Sequence, residues 1–152
     1  MRTRLSIILL LALLFQACSR PASDEAFVGY ADRDAGGGYC FDLAMDGEDW
    51  LYDLDIYLLF EGQRDKGLPQ GLNAVTVLTG PDGTIYEGLL ELDRYEDYQQ
   101  GRFTKMYLYG FGQGLKPVAY GDWKLQVALP EEIDNGKDVD GVGIRLRRYG
   151  SR

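Results

Sequence analysis

From residue 50 to residue 60 every second side chain is large and apolar: Trp50, Tyr52, Leu54, Ile56, Leu58 and Phe60. In an extended chain successive side chains point to opposite faces, so these six line one face; at about 3.6 residues per turn a helix would scatter them around its axis. The segment is therefore a strand with one side in a core. Asp53, Asp55 and Tyr57 fall on its other side.

The same period recurs along the chain. Tyr39, Phe41, Leu43 and Met45 share a face, as do Trp123, Leu125, Val127 and Leu129, with Lys124 and Gln126 opposite. Residues 72–79 are β-branched and apolar on both sides, which suits a central strand. Pro81 presets φ and Gly83 accepts positive φ in the turn that follows, so residues 72–92 read as a hairpin. Further strands are expected at 26–30, 103–111 and 139–148, the last with Val142, Ile144 and Leu146 inward and Arg145 and Arg147 outward. Residues 93–102 read as a loop or bent edge, and Gly112 to Gly114 as a break. About seven to eight short strands without a long helical pattern predict an all-β fold, an antiparallel β-sandwich.

The first residues are of a different kind. Arg2 and Arg4 precede an uncharged run from Leu5 to Phe15, closed by Gln16, Ala17 and Cys18. That run is too short to span a bilayer and fits the apolar region of an export signal. A cysteine after a small residue reads as a lipobox, in which Cys18 becomes the acylated N-terminus. The expected division is a signal peptide at 1–17, a lipidated tether at 18–25 and the sandwich at 26–152. Two or three acyl chains, at about 0.8 kcal/mol per buried methylene, hold a domain on a membrane where one short chain does not. Ser19 after Cys18, in place of an acidic retention residue, predicts the outer membrane of a bacterial cell envelope.

Composition removes most chemistry. There is no histidine, which excludes histidine-based triads and general bases. The serines outside the leader are Ser19, Ser23 and Ser151, none expected on the folded core. No glycine-rich phosphate loop follows a strand. The net charge is -8, and removal of Arg2 and Arg4 makes it -10, which argues against a nucleic-acid partner. No cofactor and no enzyme activity are expected. Cys40, left without a partner once Cys18 is acylated, reads as a core thiol.

Two groups of residues remain as site candidates. Asp134, Asp138 and Asp140 lie in a loop that fails the EF-hand spacing but offers oxygen ligands for an irregular metal site; the alternative is a solvated turn. Tyr57, Tyr107 and Tyr109, among eleven tyrosines, suggest a ligand-binding face for a glycan or peptide; the alternative is ordinary half-buried strand positions.

The segments Tyr52-Asp53-Leu54-Asp55-Ile56-Tyr57-Leu58, Leu72-Asn73 leading to Pro81-Asp82-Gly83, Gly121-Asp122-Trp123-Lys124-Leu125 and Val139-Asp140-Gly141-Val142-Gly143-Ile144-Arg145-Leu146 follow one another in an order and spacing that resembles the gliding-motility-associated lipoprotein family GldH of Bacteroidetes. The similarity covers about residues 39–148 and departs at 60–64 and between Leu89 and Gly110. It implies a non-enzymatic lipoprotein of envelope machinery, linked to gliding, and supplies no catalytic residue. The resulting expectation is a membrane-anchored interaction module with a protein partner in the envelope. The alternative is a surface lipoprotein that binds glycans or other ligands through tyrosines.

Overall fold

The computed structural model describes residues 23–61 and 67–150; the signal peptide and Cys18 lie outside them. The described chain forms nine strands: β1 Ser23–Gly29, β2 Tyr39–Met45, β3 Trp50–Glu61, β4 Asn73–Thr79, β5 Ile85–Glu91, β6 Asp97–Gln100, β7 Thr104–Leu115, β8 Gly121–Ala128 and β9 Val139–Gly150. A single 3-10 turn, Tyr30–Asp32, follows β1. Five strands form one sheet in the order β1-β9-β3-β7-β6, and four form the other in the order β2-β8-β4-β5. All pairings are antiparallel.

The alternation read from the sequence is what packs. Tyr52, Leu54, Ile56, Leu58 and Phe60 from β3 meet Tyr39, Phe41, Leu43 and Met45 from β2 and Trp123, Leu125 and Val127 from β8 in one buried core. Val142, Ile144 and Leu146 complete it from β9. The hairpin is present, with Gly83 at φ 83° and Asn73 to Thr79 paired with Glu91 to Ile85.

Four expectations are adjusted. The sandwich has nine described strands rather than seven to eight. The additional one, β6, comes from the segment read as loop or bent edge and pairs through Asp97 to Gln100 along β7. β7 does not stop at Gly112 but continues to Leu115 through register shifts opposite residues 52–55. Gly114, at φ 62°, turns its N–H to Asp53 Oδ1 at 2.8 Å, so the glycines bend the strand instead of ending it. β1 begins at Ser23, inside the segment expected as tether, because Ser23 to Gly29 can pair with Arg147 to Gly141 along the edge of β9.

The register defines two ends of the sandwich. At one lie the start of β1, the turn at 46–49, the hairpin turn at 80–84, the loop at 116–120 and the end of β9. At the other lie the 3-10 turn and the loop at 129–138.

Candidate functional site

On the outer face of the five-stranded sheet, side chains pack across the strand backbones. Phe27 on β1 and Tyr57 on β3 stack with ring centroids 6.4 Å apart, although β9 runs between their strands. They can do so because β9 carries Gly141 and Gly143 there: a β-carbon at Gly143 would stand 2.0 Å from Tyr57 Cζ, and one at Gly141 2.5 Å from Phe27 Cζ. Arg145 pairs with Glu25 at 2.6 Å, and Arg147 Nη2 donates to Asp55 Oδ2 at 3.1 Å. Asp55, which the strand pattern places on the side away from the apolar series, is buried. Tyr57 covers a backbone, and burial raises its hydroxyl pKa.

The other two candidate tyrosines face the opposite way. Tyr109 is buried and donates its hydroxyl to the Leu92 carbonyl at 2.9 Å. Tyr107 is also buried, ringed by Phe60, Tyr95 and Tyr98. Both belong to the inner face of β7, so the three tyrosines do not assemble into one platform. Alternation explains the division, since Tyr57 is opposite Leu108 in the register and Tyr107 opposite Leu58.

The three acids are not brought together around a common point either. Asp134 accepts from Arg33 Nη1 at 2.6 Å and from the Tyr39 hydroxyl at 2.7 Å, while the Arg33 guanidinium lies 3.7 Å from the Tyr30 ring centroid. This latch joins the 3-10 turn to the loop before β9. Asp138 accepts from Asn135 Nδ2 at 2.8 Å. Asp140 occupies the register shift of β9, its pKa raised by burial and then by Glu61. Among the described residues no group of three His, Cys, Asp or Glu is placed to hold a metal ion.

The outer face of the four-stranded sheet is different. Cys40 lies here, exposed, and not in the core as expected; Tyr39 and Phe41 take the inward positions and leave it the outward one. Its thiol donates to Asp34 Oδ2 at 3.3 Å. Partial desolvation of the sulfur, then Asp34 and Asp42, raise its pKa, which keeps it protonated and weakly nucleophilic at neutral pH. Asp34 also accepts from the Gly36 and Gly38 N–H groups and from Gln126, which holds its own pKa low.

A groove of about 420 Å³ crosses this face between Cys40 and Asp42 on β2, Lys124 and Gln126 on β8, and Val77 and Thr79 on β4. Beyond it, Val75 on β4 pairs with Leu89 on β5, and Thr79 with Ile85. These aliphatic side chains are open to solvent: Leu89 is 69% exposed, Ile85 60% and Val75 45%. β5 is the last strand of its sheet, so its outer backbone groups have no strand partner among the described residues. The sequence analysis identified the hairpin and missed this surface, because apolar residues on both sides of 72–79 read as burial between layers. The available signal was Leu89 and Ile85 alternating with Glu87 and Glu91, a mixture typical of a strand face only partly covered.

No protein-family model matches the chain, and no curated protein sequence matches it.

Proposed function

We propose that this chain is a membrane-anchored lipoprotein whose sandwich is a non-enzymatic interaction module in a bacterial envelope assembly, and that the β4–β5 hairpin is its docking surface. The observation that carries this reading is the Val75–Leu89 pair: two large aliphatic side chains in register, facing water, beside a strand edge that no described element covers. Covering a large aliphatic side chain yields about 1.5–3 kcal/mol, and a partner strand added to β5 also satisfies its backbone groups. The resemblance to the GldH family supports an assembly linked to gliding, and Cys18 supplies the anchor.

A glycan-binding lipoprotein built on tyrosines has less support, since Tyr57 covers Gly143 while Tyr107 and Tyr109 are in the core.

The test is a photoreactive residue placed at Leu89 in the lipoprotein expressed in its own cells. A discrete protein adduct from Leu89, with none from the same probe at Tyr57, is the expected result. Adducts to polysaccharide alone, or protein adducts from Tyr57 and none from Leu89, would overturn it.

A further inference from the structure

We propose that the end of the sandwich where β1 begins rests in the headgroup layer of the bilayer, with Trp50, Val118 and Tyr120 in the interface. The inference rests on the lipoprotein reading of Cys18. Four residues separate Cys18 from Ser23. Even fully extended, at about 3.6 Å per residue, the links from Cys18 to Ser23 reach only about 18 Å. An acylated Cys18 therefore holds this end of the domain within about 18 Å of the membrane, nearer than the opposite end when the strands stand upright.

What that end presents suits an interface. Trp50 is 39% exposed, Tyr120 40% and Val118 75%. Trp50 precedes the inward series of β3 and stands beyond the core that Tyr52 begins. Its ring is held in place: it covers Gly47, where a β-carbon would stand 1.8 Å from Cδ1, and the Arg148 guanidinium lies 5.3 Å from its centroid. Val118 and Tyr120 come from the loop between β7 and β8, fixed at its base by Trp123 Nε1 donating to the Ala119 carbonyl at 2.9 Å. Tryptophan and tyrosine favour the headgroup level, where an apolar ring and a polar edge are both accommodated.

Charge narrows the lipid. Lys116 and Arg148 accompany the aromatic residues, but the same end carries the acidic turn at 46–49, and the chain without Arg2 and Arg4 is at -10. A field of both signs fits zwitterionic headgroups, whose phosphate and ammonium groups answer each, and gives no strong attraction to an anionic surface.

The experiment uses the native acylated protein in vesicles of phosphatidylcholine and phosphatidylethanolamine, with and without lipid brominated near the headgroup end of its chains. Only two tryptophans are present, and Trp123 is buried. Bromine is expected to extinguish the Trp50 emission and spare that of Trp123. Trp50→Phe should abolish the bromine-sensitive component, and Val118→Asp, which leaves both tryptophans in place, should reduce it severalfold. Flotation with the vesicles and emission indifferent to bromine would overturn the proposal and leave the anchor standing. Trp50 shielded from aqueous iodide yet indifferent to bromine would assign this end to a second copy of the chain, and would also overturn it. Failure to float would refute the anchor, and the proposal with it.

Discussion

The Tyr57 ring lies over the α-carbon of Gly143, so close that a single methyl group there would meet Cζ at 2.0 Å. Gly143→Ala must therefore displace the ring and its stacking on Phe27. A loss of about 1–3 kcal/mol in urea denaturation is expected, the usual cost of an overpacked contact. In a Tyr57→Ala background the same substitution should cost far less. An equal cost in both backgrounds would show that the ring is not what requires glycine.

Buried hydroxyls set the alkaline limit. The pKa values of Tyr39 and Tyr109 are raised above the ordinary 10.0, in both cases chiefly by burial. A group with a raised folded pKa contributes stability that is fully present below its unfolded pKa and lost as pH rises through the folded one. Stability should hold up to about pH 10 with respect to these groups and then decline. Tyr109→Phe should flatten that decline, at a neutral-pH cost of about 0.5–1.5 kcal/mol for the hydrogen bond to Leu92. An alkaline limb unchanged by Tyr109→Phe and Tyr39→Phe together would refute the assignment.

Asp134 is the shared acceptor of Arg33 and Tyr39, and its side chain is almost fully enclosed. Asp134→Ala would leave a partly buried guanidinium and a buried hydroxyl without their acceptor, at an expected cost of about 2–4 kcal/mol. Asp134→Asn, which keeps one acceptor oxygen, should cost less. If the two substitutions cost the same, the latch is not held by the pair of contacts described.

Cys40 should alkylate slowly at neutral pH and faster as pH rises, because partial desolvation and the carboxylates of Asp34 and Asp42 oppose its ionisation. Asp34→Asn removes one of those charges and should speed iodoacetamide modification severalfold near pH 8, measured by mass spectrometry. An unchanged or slower rate would show that Asp34 does not control the thiol.

Cys18→Ala should move the domain from the membrane fraction to the soluble one. Retention on the membrane would sink the anchor reading, whatever the fate of the hairpin surface.

The elements were legible where the pattern is local. Six apolar residues at spacing two fix the inward face of β3 except at its first member, Trp50, which extends past the core. Pro81 and Gly83 fix the hairpin turn for the same reason, since φ preference is a property of the residue itself. The order of strands across each sheet was not legible, because it depends on pairings such as Ser23 with Arg147, far apart in sequence. Nor was the environment of each tyrosine. The side chain suits a core, a cover or a surface equally well, and Tyr57 and Tyr109 differ only in which side of the five-stranded sheet they occupy. Asp55 shows the same limit: alternation puts it outside the core, yet it is buried, with Arg147 Nη2 donating to its Oδ2.

A pull on an acylated Cys18, opposed at the other end of the sandwich, would load β1 through Ser23 along the strand axis. The seven paired positions between β1 and β9 would then be strained together in shear. A force applied across the strands would instead open those rungs singly, like a zipper. With Cys18 acylated as proposed, β1 would then act as a strain relief, carrying tension between the membrane and a load at the opposite end of the sandwich without peeling the fold apart.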